Sequence, residues 1–325
     1  MTRIAINGFG RIGRLFFRQV AAKKNMQVVA INDLGDPENL AYLLKYDTVY
    51  GRFDGKMPKH ILQEKDPANL PWGKLGIDIV VEATGIFDSY EEAQAHLRAG
   101  AKRVVITAPA KDEDGPIGRT ILMGVNEKDL AACKISSNGS CTTNSIASVI
   151  QVLDEGIGVV KALLNTTHGY TATQSLVDGP TRGKDMRRGR AAAQNIIPSS
   201  TGAAIATTRA VKSLKGKFDG IALRVPVAAG SIADITFLAK RPTTVEEVNK
   251  ILTKAAASPR FRNVLQVTQD PLVSSDILGQ PYGALVDLEM TRVVGGDLVK
   301  VLSWYDNEWG YAATLVRHVE AAIAA

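Results

Sequence analysis

The run Asn7-Gly8-Phe9-Gly10-Arg11-Ile12-Gly13-Arg14 places the pattern G-x-G-x-x-G close to the start of the chain. The apolar residues before it predict a strand over 3–7, and Ile12, Leu15, Phe16 and Val20 predict a helix from Arg11 to Lys24. Gln27 to Asn32 read as a second strand, ending beside Asp33, twenty residues beyond Gly13. The glycine pattern alone is a weak signal. Set between a strand and a helix, with an acid at the end of the next strand, it predicts a dinucleotide-binding unit. Gly8 permits the tight turn, Gly10 admits a pyrophosphate, and Gly13 lets helix and strand pack closely. The helix start offers N–H groups and a positive dipole end to phosphate. Asp33 would accept hydrogen bonds from the adenosine ribose and repel a 2′-phosphate. The bland alternative is a glycine-rich turn and an acid at a strand end.

The surrounding pattern extends this unit. Strands are predicted at Ile77 to Glu82, Arg103 to Thr107 and Lys134 to Ser136, with a helix at Ser89 to Ala99. Alternating strands and helices imply a doubly wound parallel sheet of Rossmann type, covered on both faces. The second half reads differently. Val159 to Thr167, Phe218 to Pro226, Ser231 to Ala239 and Leu298 to Trp304 look like long strands. Gly202 to Ser213 and Thr244 to Ala257 look like helices. This predicts a second, α+β domain with a mixed or antiparallel sheet. The expected division is a nucleotide-binding domain over 1–140 and a catalytic domain over 141–309. A last helix, 310–325, is expected to pack back on the first domain.

Composition narrows the class. No run of about 18 apolar residues is present, so no membrane span is expected. Met1 leads straight into a strand without the regions of a signal peptide, which makes the cytoplasm the expected location. The net charge of +6 comes from scattered residues, Lys23-Lys24 and Arg187-Arg188 being the tightest clusters. That favours a solvated basic surface suited to anionic substrates over a nucleic-acid partner. No metal is expected.

The two cysteines differ in setting. Ser137-Asn138-Gly139-Ser140-Cys141-Thr142-Thr143-Asn144 precedes an apolar-periodic helix containing Ile146, Val149, Ile150 and Leu153. Cap residues place Cys141 in or beside the first turn, where the dipole should stabilise a thiolate. Cys133, among Ala132, Lys134 and Ile135, reads as structural. A reactive thiolate needs a proton acceptor. Of four histidines, His60 follows Pro58 in a polar stretch, His96 falls in a helix read as solvent-facing, and His318 lies near the C-terminus. His168 ends a strand beside Tyr170-Thr171-Ala172-Thr173 and is the best candidate, although spacing does not bring it to Cys141.

At this point the chain resembles the phosphorylating glyceraldehyde-3-phosphate dehydrogenase family, from Ile4 to Tyr311. The resemblance rests on the glycine-rich run, Leu43-Leu44-Lys45-Tyr46-Asp47, Ser140-Cys141-Thr142-Thr143-Asn144 and Thr171-Ala172-Thr173-Gln174. It continues through Gln194-Asn195-Ile196-Ile197-Pro198, Ser200-Thr201-Gly202-Ala203-Ala204, Arg224-Val225-Pro226 and Ser303-Trp304-Tyr305-Asp306-Asn307-Glu308-Trp309-Gly310-Tyr311.

The resemblance implies that Cys141 attacks the aldehyde, His168 takes the proton, and inorganic phosphate cleaves the resulting thioester. It implies NAD as cofactor and contacts to it from Gly8, Gly10, Arg11, Ile12, Gly13, Asp33, Lys65, Thr84, Gly85, Thr107, Asn307 and Tyr311. Thr171 and Arg224 match the family's substrate-phosphate site, with Arg188 nearby. Ser140, Thr142, Thr201 and Gly202 match its inorganic-phosphate site, which Arg224 borders. The loop Val177-Asp178-Gly179-Pro180 resembles the NAD-preferring branch. A homotetramer is implied by the family alone. The chain departs from the pattern in a short segment after Phe53, in Lys65 where many relatives carry arginine, and in Gly139 beside the nucleophile. Two alternatives are an erythrose-4-phosphate dehydrogenase and a non-catalytic relative that binds nucleotide or RNA.

Overall fold

The computed structural model describes residues 1–181 and 185–325, which fall into two compact units. The first comprises Met1–Ser140 with Ala312–Ala325, the second Cys141–Tyr311.

In chain order the first unit contains β1 (Thr2–Asn7), α1 (Arg11–Val20), β2 (Met26–Asn32), α2 (Pro37–Lys45), β3 (Tyr46–Asp47) and β4 (Gly51–Arg52). There follow β5 (His60–Leu62), β6 (Ile79–Glu82), α3 (Tyr90–Arg98), β7 (Arg103–Ile106), β8 (Gly118–Thr120) and β9 (Ile135–Ser137). Seven strands form a parallel sheet in the order β5-β2-β1-β6-β7-β9-β8. The chain leaves β1 first toward β2 and later toward β6, so β1 and β6 flank the point where the winding reverses, a crevice at which such sheets bind ligands. Alternate residues of β1 enter different cores. Ile4 and Ile6 join Phe9, Phe16 and Leu315 on one side. Ala5 joins Trp72, Tyr90 and Val104 on the other. Both faces are covered, as a parallel sheet requires.

The helix α1 stops at Val20 rather than Lys24, leaving the two lysines in an exposed turn. Helix α2 lies outside the elements predicted above. Its signals were present in Asp36-Pro37: Asp36 accepts from the Asn39 N–H at 2.8 Å and Pro37 opens the helix. The expectation that His96 faces solvent is wrong. Tyr90, Ala93 and His96 share the buried face of α3, and His96 is fully buried.

His318 is fully buried as well. Its Nδ1 lies 3.0 Å from Asn138 Oδ1, and its Nε2 lies 2.8 Å from the Ser136 hydroxyl. The amide oxygen only accepts, so Nδ1 carries the proton and Nε2 accepts from Ser136. Burial pushes its pKa from 6.5 down to about 3. Between those values the unfolded chain binds a proton that the folded one refuses, so this share of stability is lost as pH falls through that window. Thermal unfolding followed from about pH 7 to about pH 4 should therefore steepen with acid in the native chain and less so in His318→Gln. Equal slopes would contradict this origin.

The second unit contains α4 (Cys141–Gly156), β10 (Val159–Gly169), β11 (Ile197–Ser200), α5 (Ala203–Ala210), β12 (Phe218–Val225), β13 (Ser231–Ala239), α6 (Val245–Ala256), β14 (Leu265–Thr268), β15 (Ala284–Val294) and β16 (Leu298–Tyr305). The final helix α7 (Trp309–Ala324) runs on into the first unit's terminal segment. The sheet order is β11-β12-β10-β13-β16-β15-β14, parallel at β10/β12 and β14/β15 and antiparallel elsewhere. The helix α4 packs on β10, β13, β15 and β16 and against α5 and α6. On β13, Ala233, Ile235 and Phe237 face this core, while Ile232, Asp234, Thr236 and Leu238 are half-buried on the other side.

Two elements of this unit differ from the predicted ones. The long strand β15 was not expected, because Asp287, Glu289, Thr291 and Arg292 break its apolar alternation and its register slips between Asp287 and Arg292. The helix expected to reach Ser213 ends at Ala210. The hydroxyls of Thr207 and Thr208 bond back to Ala203 O at 2.9 Å and Ile205 O at 2.7 Å, a pattern that competes with the helix ladder.

Candidate active site

In the first unit a cleft of about 730 Å³ opens at the β1/β6 switch point and is lined by Gly8, Gly10, Asp33, Lys65 and Thr84, among others. The glycines differ in their constraints. Gly8 sits at φ +94°, and a Cβ there would lie 2.5 Å from Thr84 N. A Cβ on Gly13 would lie 2.2 Å from Gly8 O. At Gly10 a Cβ would meet nothing within 4 Å and would only fill the cleft. Gly10 also begins α1, whose start has no side-chain cap and no acid in its first turn. A bare helix start facing an open cradle fits a pyrophosphate.

Asp33 is held by backbone donors, from Phe9 N at 2.6 Å and Gly35 N at 2.8 Å. Thr84, Gly85 and Thr107 stand around the end of β6; Gly85 takes φ +67° and Thr107 N donates to Glu82 O at 3.0 Å. The side chains of Arg11 and Ile12 point away from the cleft, so any contact they make to the cofactor would come from their backbone N–H groups. The Arg11 guanidinium pairs with Asp47 at 2.5 Å and lies over the Tyr50 ring, and the Ile12 side chain packs against the core.

The second unit holds the other expected residues. Cys141 is the first residue of α4, and its Sγ lies 3.3 Å from His168 Nε2. His168 comes from the end of β10, whose parallel register sets it beside Arg224 on β12. His168 Nδ1 is 2.7 Å from Gly169 O and also 2.7 Å from an Arg224 NH group. One nitrogen cannot donate to the carbonyl and accept from the guanidinium at once. With the proton on Nδ1, Nε2 is bare and can take a proton from sulfur, while Arg224 keeps its contact to Gly169 O at 3.2 Å. With the proton on Nε2, Arg224 donates to Nδ1 and the imidazole points its N–H at sulfur. The site thus accommodates both neutral tautomers of one histidine, and the Nδ1–H form is the one that can act as base toward sulfur.

Burial pushes His168 down to about 3, and Arg224 adds to the shift. Burial pushes the Cys141 thiol up, although the residue is not fully enclosed; Arg224 and the N–H groups of the helix start pull it down. Burial is the largest influence, so the thiolate expected at this helix start depends on His168 as proton acceptor. The thiolate has to come from proton transfer across the 3.3 Å contact, which leaves net charge unchanged and makes the proton a property of the pair. Among the described residues Cys133 has no such partner: it is buried, its sulfur lies against the carbonyls of Asp129 and Leu130, and burial pushes it up too. Iodoacetamide at neutral pH should label Cys141 well before Cys133. Equal rates in the folded protein would contradict the paired thiol.

The anion-binding candidates form two groups. Thr171 and Thr173 share a hydroxyl contact of 2.9 Å, and Arg188 reaches Thr173 at 3.4 Å and Ser199 at 3.0 Å. Thr201 and Gly202 stand at the start of α5, where the Thr201 hydroxyl accepts from Ala203 N at 3.2 Å. Ser140 directly precedes Cys141. The Thr142 hydroxyl is bonded to Tyr305 at 2.8 Å. Arg224 is half-buried, and its Nε is an enclosed donor without a partner among the described residues. Asn307 Oδ1 accepts from Gly230 N at 3.1 Å and the Ser231 hydroxyl at 2.9 Å, which orients the amide, and Tyr311 is buried nearby in sequence.

Tyr305 went unremarked in the sequence, although it lies inside a motif. Its hydroxyl joins Thr142 to Thr166, at 2.8 and 2.7 Å, and its ring meets His168 edge-on at 5.9 Å. A tyrosine at an inward position of a strand end was the available signal.

A nucleotide cleft on a parallel sheet and a cysteine–histidine pair at a helix start define a dinucleotide-dependent oxidoreductase that works through a thiol. The model described as "Glyceraldehyde 3-phosphate dehydrogenase, NAD binding domain" matches residues 2–90, and that of the C-terminal domain matches 140–307. The chain is 49% identical over 330 residues to a glyceraldehyde-3-phosphate dehydrogenase of Streptomyces coelicolor, covering 97% of this chain and 96% of the relative. It is 46% identical to the enzyme of that name from Clostridium pasteurianum, covering 98% of each chain. The chain belongs to the glyceraldehyde-3-phosphate dehydrogenase family, and its cofactor is NAD.

Proposed function

We propose that the protein oxidises D-glyceraldehyde 3-phosphate to 1,3-bisphosphoglycerate, through a thiohemiacetal and then a thioester on Cys141. The observation that carries the assignment of roles is the 3.3 Å contact between Cys141 Sγ and His168 Nε2. His168 takes the thiol proton and Cys141 attacks the aldehyde carbon. The resulting oxyanion lies within reach of donors at the helix start and is protonated by the imidazolium. His168, again bare at Nε2, removes that hydroxyl proton as the carbon is oxidised. NAD, when bound, supplies the hydride acceptor. Gly8, Gly10, Asp33, Lys65 and Thr84 would hold its adenosine and phosphates, and Asn307 its carboxamide. Inorganic phosphate then attacks the thioester carbonyl and the Cys141 thiolate leaves.

Arg224, Arg188, Thr171, Thr201 and Gly202 are assigned to the two phosphates. Forked guanidinium groups, hydroxyls and a helix start suit that charge. Burial holds His168 in its neutral form, and Arg224 and Arg188 add to that effect.

Assembly as a homotetramer in the cytoplasm belongs to the same proposal. Reduced Cys133 and Cys141 suit a reducing compartment. No helix among the described residues is long and apolar enough to cross a membrane. The uncovered face of the second unit's sheet exposes Leu163 and Ile221 on neighbouring strands, apolar surface suited to self-association. Comparing kcat/KM for glyceraldehyde 3-phosphate and erythrose 4-phosphate tests the substrate. A preference for the four-carbon sugar would overturn this assignment.

A further inference from the structure

A buried acid lies under the nucleotide cleft without touching it. Glu82 ends β6 and pairs in register with Asn7 at the end of β1, on the two strands that flank the switch point. Its side chain is 1% exposed and that of His96, its neighbour from α3, is 0% exposed.

The wiring around Glu82 fixes its chemistry. The indole N–H of Trp72 donates to His96 Nδ1 at 3.0 Å, and an indole nitrogen can only donate. His96 is therefore neutral with its proton on Nε2, which donates to Glu82 Oε2 at 2.9 Å. Asn7 Nδ2 donates to the same oxygen at 2.6 Å. The other oxygen accepts from Thr84 N at 2.8 Å and from the Thr84 hydroxyl. Every partner donates and none is a cation, so Glu82 is a carboxylate satisfied by four hydrogen bonds. Buried charges persist only when satisfied in this way.

Those bonds lead to the cleft wall. The Thr84 hydroxyl that donates to Glu82 accepts from Ile86 N at 3.1 Å. Asn7 Oδ1 accepts from Asn32 Nδ2 at 2.7 Å, and Asn32 Oδ1 accepts from Glu64 N at 2.8 Å. Asn7, Asn32, Glu64, Thr84 and Ile86 all line the cleft. One carboxylate thus sets the turn after β6 against the glycine-rich turn, where a Cβ on Gly8 would already strike Thr84 N and the Ala83 carbonyl.

We propose that Glu82, braced by His96, is a positioning residue for the dinucleotide: it holds both walls of the cleft in the binding geometry through Asn7 and Thr84. The proposal rests on the assignment of this cleft to NAD.

The test measures NAD affinity directly, by calorimetric titration of the whole protein, beside steady-state kinetics and thermal unfolding. In Glu82→Gln an amide NH2 replaces one acceptor and confronts two donors. The Kd for NAD should rise about tenfold, roughly the loss of one charge-assisted hydrogen bond's worth of preorganisation. The kcat at saturating NAD and the KM for the aldehyde should stay within about twofold, since neither reacting group is touched. A lowered unfolding temperature with unchanged Kd would overturn the proposal by making Glu82 merely structural.

His96 supplies a second pair of variants that do not touch the cleft. The amide of His96→Gln can still donate to Glu82, whereas His96→Leu cannot. His96→Leu should weaken NAD binding and His96→Gln should restore it. Equal Kd values in these two variants overturn the proposal even where Glu82→Gln fails to fold. Wild-type protein that binds no NAD would sink the cleft assignment itself. Normal wild-type binding with indistinguishable variants would sink only the positioning role.

Discussion

Cys141→Ser is expected to abolish turnover, lowering kcat by on the order of 10⁴-fold or more, while the Kd for NAD stays unchanged. The covalent route needs a nucleophile that ionises at a cost the site can meet. Even the thiol is pushed up by burial at this position, and only the 3.3 Å contact with His168 offers its proton a destination. A serine hydroxyl is a far weaker acid, and His168 is itself held neutral by burial and Arg224. A serine alkoxide is therefore out of reach in this pocket. The glycine-rich cradle lies entirely in the first unit, so cofactor affinity is the control. Rate measured by NADH formation and affinity measured by titration separate the two. Residual turnover above about one part in a hundred would contradict covalent catalysis by this sulfur.

His168→Asn should lower kcat by about 10²- to 10⁴-fold, the range for a removed general base. Asparagine is chosen because its amide can replace Nδ1 toward either Gly169 O or Arg224, which preserves the packing of β10 against β12. Among the described residues no base then faces the Cys141 sulfur. Alkylation of Cys141 should slow at neutral pH, and its rate profile should move to higher pH, because the thiol must lose its proton to water. Burial sets the sign: without a neighbouring base the enclosed thiol is harder to ionise. A profile that stays in place would mean that the helix start and Arg224 alone generate the thiolate. That would restore the dipole-held thiolate in place of the pair.

The parts of the fold that were legible are those with local signals. The glycine spacing, the apolar periodicity of α1 and the cap residues before α4 each act within a few residues. The pairing of Cys141 with His168 was not legible, since the two are 27 residues apart and meet only because β10 pairs with β12 and α4 lies across the sheet. His96 was misread because Glu91, Glu92 and Gln94 give its helix a polar look. Its spacing of three from Ala93, itself three from Tyr90, was the better guide to the buried face. Arg11 shows the limit of a motif. Its position in the glycine-rich run is a family feature, yet its guanidinium is committed to Asp47 and Tyr50. Glu82 carried no signal at all, since a lone acid at the end of an apolar strand looks like a boundary. Its importance emerges only when four donors are seen converging on it.

The central claim is that a thioester on Cys141 waits for phosphate. The direct measurement is a rapid-mixing experiment with excess NAD and glyceraldehyde 3-phosphate, first without and then with inorganic phosphate. Without phosphate, NADH should appear as a burst of about one equivalent per site and then nearly stop, with an acyl group on Cys141 detectable by mass spectrometry. Added phosphate should discharge that acyl group as an acyl phosphate and restore continuous turnover. Sustained NADH formation in the absence of phosphate, with no acyl group on Cys141, would contradict the account.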